Sequence, residues 1–180
     1  MVYYDGLLSY TEGSKTHHNE GMKKILNVHR NDDPKRYQCI GCSPHNPIGL
    51  KLEFWDDGEG LYAEWEPQPE FMGWENILHG GIQATLLDEI AAWVVYTKCE
   101  TAGVTAGLNI KYKKPVYTNQ GKLVIKGKVI EQDKRFALIL GQLFNREGDL
   151  CAEAEVKYFI YPQEIARRKF HYPGIEAFYK

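Results

Sequence analysis

The apolar positions of this chain follow two rhythms. Between residues 49 and 67 they alternate: Leu50, Leu52 and Phe54 oppose Lys51 and Glu53, and Leu61, Ala63 and Trp65 oppose Tyr62, Glu64 and Glu66. A period of two predicts strands, and Gly58–Gly60 between them predicts a hairpin. From Ile82 the rhythm becomes helical, through Leu86, Ile90 and Trp93, so a helix is expected over about residues 80–98. Alternation then returns in four stretches, "VTAGLNIKYKKPV", "KLVIKGKVIEQ", "FALILGQLF" and "LCAEAEVKYFIYP", parted by Gly121, Asp133-Lys134 and "NREGD". Short turns between neighbours imply antiparallel pairing. The stretch Val104–Val116 reads as the longest, central strand, with Ala106, Leu108, Ile110 and Tyr112 on the face toward the helix. Upstream, "NEGMKKILNVHRN" predicts a short amphipathic helix through Met22, Ile25, Leu26 and His29, ended by Pro34. "CIGCSPHNPIG" reads as a loop, and "PQEIARRKF" as a last helix. The expected class is α+β: an antiparallel sheet of about six strands curled around one long helix, with an N-terminal helical extension.

Composition narrows the partners. The chain has 180 residues, 43% of them hydrophobic, and a formal net charge of -2. That favours one main domain over two. The dense basic stretches "KYKK" and "ARRK" read as solvated faces, so no nucleic-acid partner is expected. No run approaches the roughly 18 apolar residues of a membrane span, and "MVYYDGLLSYTEGSK" lacks the pattern of a secretory signal. Four cysteines do not make a disulfide framework in a chain of this length. The expectation is a cytoplasmic protein with an extension over 1–38, a main domain over 39–162 and a tail over 163–180.

The helix carries the chemistry. Ile82, Leu86, Leu87, Ile90, Trp93 and Val94 fall within an arc of about 140°, which should face the sheet. The other side holds Ala84, Thr85, Asp88, Ala91, Ala92 and Val95, a small-residue face on which another backbone could come close. That backbone would bring the partner of Asp88. The helix opens with Gly80-Gly81, poor helix formers. A tight strand-to-helix turn explains them in the simplest way. They also leave the first N–H groups bare, at the positive end of the helix dipole, where a ligand oxygen can approach. Such donors stabilise a carbonyl that turns anionic on attack. From Gly80 to Asp88 the helix rises about 12 Å, so one substrate cannot meet both in one chain. Two helices laid antiparallel would set Gly80 of one copy beside Asp88 of the other, giving a homodimer with two equivalent sites.

These residues resemble the hot-dog-fold acyl-CoA thioesterases of the phenylacetyl-CoA and hydroxybenzoyl-CoA type. The likeness rests on His79-Gly80-Gly81 with Asp88 nine positions after the histidine, on "GW" before the motif and on "VTAGLNIKYKKPV" after it. Thr105, Asn109, Tyr112 and Pro115 stand where that family shows comparable residues, and "NPIGL" is also similar. The resemblance covers about residues 39–162. It implies that the Gly80 amide polarises a thioester carbonyl. It implies that Asp88 of the opposite subunit acts as general base or nucleophile, that His79 positions the thioester, and that Thr105 holds the carboxylate or the water. Gly81 and Asn76 are expected to help bind substrate. Some relatives place an asparagine six residues before the histidine; Gly73 stands there in this chain, and Asn76 is the nearest substitute. By strict alternation Thr105 falls with Asn109 and Lys111, so it reaches the site only through an irregular strand start.

Lys111 and Lys113 are candidates for the phosphates of coenzyme A. Glu89 is a reserve base, with an ion pair as its simpler use. Cys39-x₂-Cys42-x₂-His45 offers three zinc-type ligands where a structural site wants four, so the expectation is a loop with no metal. No cofactor is expected beyond the coenzyme A of the substrate. The expected activity is hydrolysis of an acyl-CoA or acyl-carrier-protein thioester, by a homodimer whose further pairing into tetramers is left open. The rivals are a hot-dog hydratase or dehydratase and a non-catalytic acyl-CoA-binding dimer.

Overall fold

A computed structural model describes residues 21–179. Its order is β1 (Lys23–Ile25), β2 (Phe54–Asp56), β3 (Leu61–Trp65), β4 (Met72–Trp74), β5 (Ile77–Leu78), α1 (Gly80–Lys98), β6 (Gly103–Tyr112), β7 (Leu123–Gln132), β8 (Phe136–Phe144), β9 (Leu150–Ile160) and α2 (Gln163–Phe170). Seven strands form one antiparallel sheet in the order β1-β2-β3-β7-β8-β9-β6, and β4-β5 is a separate hairpin. The sheet curls around α1, which packs on β3, β6, β7, β8 and β9. This is the hot-dog arrangement expected of one buried helix and an antiparallel sheet.

Alternation sets the inner face. Leu123 and Ile125 of β7, Ala137, Ile139 and Leu143 of β8, and Ala152, Ala154 and Val156 of β9 are all buried. Glycine lets the helix lie close: a Cβ at Gly127 would stand 3.1 Å from Val94 Cγ2, and one at Gly141 would stand 3.2 Å from Leu87 Cδ2. Trp93 stacks on Phe54 with ring centroids 4.8 Å apart.

Four expectations need correction. Of the expected helix over Asn19–Asn31, the part from Gly21 onward forms β1 and turns instead, and Asn19 and Glu20 lie outside the described residues. Ile25 pairs opposite Phe54, so its apolar side chain enters the core as part of a sheet edge. β2 starts later than alternation suggests, because Lys51 adopts a left-handed backbone (φ 55). The flanking Leu50 and Leu52 amides instead donate to Ile40 and Gly41 carbonyls. β6 is an edge strand, not a central one: it pairs with β9, and β9 is longer. The small-residue side of α1 is narrower than expected, since Ala91 and Val95 are already buried within the chain.

Candidate active site

The helix start is built by three side chains. His79 is the N-cap, and its Nδ1 accepts the Gly81 N–H at 2.9 Å. This contact fixes the imidazole as the tautomer with hydrogen on Nε2. The Ile82 and Gln83 amides donate to the His79 carbonyl. Among the described residues nothing accepts the Gly80 N–H, so it alone of these first donors is left for a ligand. A side chain at either glycine would crowd a neighbour. A Cβ at Gly81 would stand 3.0 Å from the His79 ring, and one at Gly80 would stand 3.3 Å from Tyr112 Oη. That hydroxyl donates to the Gly80 carbonyl at 2.8 Å, tying β6 to the helix start.

Beside this end runs a surface groove of about 530 Å³, lined by Gly80, Gly81, Gln83, Tyr112, Lys113 and Pro115 among others. Gln83 is buried and gives its Nε2 to the Leu78 carbonyl at 3.2 Å. Its Oε1 is the buried side-chain acceptor left without a partner among the described residues. The sequence reading missed Gln83, because a glutamine on a helix gives no signal until its burial is known.

Two turns further on, Asp88 is held by its own chain. Its Oδ1 accepts from Thr105 Oγ1 at 2.8 Å and from Tyr158 Oη at 3.0 Å. Oδ2 receives no hydrogen bond from the described residues. The expectation that another backbone supplies the partner of Asp88 is thus corrected for Oδ1. Thr105 reaches the site by the irregularity its parity demands. The β6–β9 register runs Thr105↔Tyr158, then Gly107↔Lys157, so Ala106 is an extra residue in a bulge. Thr105 therefore joins the face of Leu108, Ile110 and Tyr112, and Ala106 leaves it. Tyr158, also missed, continues the inward series of Ala152, Ala154 and Val156. A buried tyrosine hydroxyl needs a partner, and that is the signal that would have found it. Burial, and then the Asp88 charge, pushes the Tyr158 hydroxyl above the usual phenol range, so it remains a donor.

The remaining candidates scatter. Asn76 sits exposed in the β4–β5 turn with a left-handed backbone (φ 56), and its carbonyl accepts the Thr118 N–H; it is a turn residue here. A Cβ at Gly73 would lie 2.9 Å from the His79 ring, so the place of the relatives' asparagine is closed by the histidine itself. Lys113 lines the groove and pairs with Glu153 at 3.2 Å. Lys111 stands opposite Glu153 in the register, on the face away from Tyr112 and the helix. Glu89 turns from the groove toward Cys39, and Trp93 Nε1 donates to it at 3.1 Å. Burial, and then the nearby Cys39, pushes its carboxyl up to about 8. His45 gives its Nε2 to the Arg30 carbonyl, away from the two cysteines.

Residues 75–152, which hold the glycine pair, Asp88 and Thr105, match the family model of the thioesterase superfamily. That stretch is similar to the thioesterase superfamily, and solved thioesterases share the fold around it. An uncharacterised protein of Schizosaccharomyces pombe is 31% identical over 114 residues, covering 60% of this chain and 63% of that one. A candidate esterase of Saccharolobus solfataricus is 30% identical over 86 residues, covering 47% of this chain and 56% of that one. The chain thus spans less than two thirds of either relative. A hypothetical thioesterase protein of Streptococcus pneumoniae, solved with coenzyme A, superposes with a TM-score of 0.55. It is 25% identical, over 58% of this chain and 83% of that one. Among the described residues, no helix is long and apolar enough to cross a membrane.

Proposed function

We propose that this protein hydrolyses an acyl-CoA or acyl-carrier-protein thioester as a homodimer. The observation that carries the reading is the pair of groups on α1 left unfilled by the described residues: a Gly80 N–H without an acceptor and an Asp88 carboxylate with one oxygen held and one bare. They are about 12 Å apart along the helix, which suits two antiparallel copies better than one. The outer edge of β6 supports this, since it exposes Val104, Leu108 and Tyr112 on a strand of 10 residues. Long apolar edges of this kind call for a cover.

In this reading the thioester oxygen docks on the Gly80 N–H. Asp88 of the second copy removes a proton from water, the hydroxide adds to the carbonyl, and the tetrahedral oxyanion is held by the amide. Collapse breaks the C–S bond, and the proton on Asp88 passes to the leaving thiolate. A thioester is activated enough that no metal or triad is required. Gln83 Oε1 offers an acceptor to an amide of the pantetheine arm, and Lys113 a cation to its phosphates. The coenzyme A bound by the pneumococcal protein favours a CoA thioester. Two observations disfavour the hydratase reading. That chemistry needs a histidine paired with an acid, yet His79 Nδ1 is spent on the Gly81 amide and no carboxylate meets the ring among the described residues.

The test is a thiol-release screen over short, long and aromatic acyl-CoAs with wild type and Asp88→Asn. Release by wild type, abolished in the variant with binding retained, supports hydrolysis. Binding with no release by either protein contradicts it and favours a binding module; hydration of an enoyl-CoA would favour the lyase.

A further inference from the structure

Away from the groove, on the other side of α1, Cys39, Cys42 and Glu89 come together. Their two Sγ atoms and a carboxylate oxygen all lie within 4.8 Å of one another. Cys39 Sγ stands 3.4 Å and 3.6 Å from the two Glu89 oxygens. We propose that these three side chains bind a thiophilic divalent cation, with zinc the ion their chemistry fits best.

Four observations carry the assignment. The first is distance. Zinc holds sulfur at about 2.3 Å and carboxylate oxygen at about 2.0–2.2 Å, and tetrahedral angles then put neighbouring ligands roughly 3.5 Å apart. The spacing of Cys39 and Glu89 already matches. The second is charge. Two thiols and a carboxyl can all become anionic, and no lysine, arginine or histidine pairs with Glu89 among the described residues. A cation answers that imbalance once the two thiol protons are released.

The third is the shell around the ligands. Tyr37 Oη lies 2.8 Å from Cys42 Sγ, and Trp93 Nε1 donates to Glu89 Oε1 at 3.1 Å. Trp93 donates, and the Tyr37 hydroxyl can donate once Cys42 is a thiolate, the polarity that anionic metal ligands want behind them. The fourth is loop shape. The Cys39–Cys42 turn is closed by a Ser43 N–H bond to the Cys39 carbonyl. Gly41 lies so close to Glu89 that a Cβ there would stand 2.3 Å from Oε2. The loop is moulded on the carboxylate. His45, the third ligand suggested by spacing, takes no part. The protein's own set is Cys₂Glu, and a water molecule would supply the fourth ligand. The ion would clamp the loop to α1 one residue beyond Asp88.

The full chain, purified reduced and dialysed against zinc, should carry one equivalent of zinc per chain by elemental analysis. Cobalt in its place should give a sulfur-to-cobalt charge-transfer band and tetrahedral ligand-field bands. Cys39→Ser with Cys42→Ser should lose both signals, and Glu89→Gln should weaken zinc binding by more than about tenfold. His45→Ala should keep full occupancy. No zinc above the double cysteine variant would overturn the proposal. So would loss of zinc in His45→Ala, or isolation of a Cys39–Cys42 disulfide as the sole form under reducing purification. Should the cysteine variants fail to fold, the wild-type cobalt spectrum decides: no thiolate band means no such site.

Discussion

Asp88 and Glu89 follow one another on α1, and the fold sends them to opposite settings. Asp88 leans on β6 and β9, where Thr105 and Tyr158 hydroxyls occupy one of its oxygens and the other takes no hydrogen bond from the described residues. Glu89 points to the Cys39–Cys42 loop, with Trp93 and thiols around it. One step of about 100° on a helix separates the carboxylate proposed for proton transfer from one buried among sulfur atoms. The lesson is that residue type and neighbourhood in sequence do not assign a role. The donors delivered by distant strands do.

The largest expected effect breaks the symmetry between the two. Asp88→Asn should lower kcat for thioester hydrolysis by at least about 10²-fold, the usual scale for losing a general base. Glu89→Gln should leave kcat close to wild type and shift stability and metal content instead. Steady-state thiol release and thermal melts on both variants check this. Equal loss of turnover in the two would erase the distinction.

A smaller effect sharpens the Asp88 side. Hydrogen bonds to a charged group are worth about 1.5–3 kcal/mol, so Thr105→Val and Tyr158→Phe should each lower kcat by about ten- to a hundredfold. KM should change little, because neither hydroxyl lines the groove at Gly80. A change confined to KM would move both residues to substrate binding.

Weaker still is a control at the far end of the same helix. Lys98 Nζ meets Asp56 Oδ1 at 2.7 Å, and Tyr179 Oη donates to Oδ2 at 2.6 Å. Burial alone would raise the Asp56 carboxyl, but Lys98 and Tyr179 outweigh it and hold it below the usual carboxylate range. A depressed folded value means stability that is complete above the unfolded pKa of about 3.9 and lost as pH falls through the folded one. Asp56→Asn should therefore cost about 1–2 kcal/mol in urea melts at pH 7, with the gap to wild type closing below about pH 4. Turnover should not move.

Much of this was legible in the chain. The change of rhythm at Ile82 marked α1, and its observed bounds are Gly80–Lys98. The strands β7, β8 and β9 followed from alternation because each has one face on the core. The glycine pair and Asp88 stood out because bare amides at a helix start, and an acid on a small-residue face, are odd on an apolar helix. What stayed hidden depends on register or on long-range packing. The bulge at Ala106 decides whether Thr105 faces Asp88, and no local pattern marks it. Tyr158 reads as one more strand aromatic until its hydroxyl is seen beside a carboxylate. β1 reads as a helix in the sequence because Ile25 and Leu26 fit either period over so short a stretch. Cys39 and Glu89 are far apart in sequence, so the spacing of cysteines pointed to His45 instead.

The central claim is that one copy gives the Gly80 amide and another gives Asp88 to the same site. Subunit mixing tests it most directly. Asp88→Asn chains and Gly80→Val chains, each inactive alone, should recover about a quarter of wild-type turnover when refolded together one to one, since half the dimers are mixed and each mixed dimer holds one intact site. No recovery above the two parents, with mixed dimers present by mass spectrometry, would contradict the account.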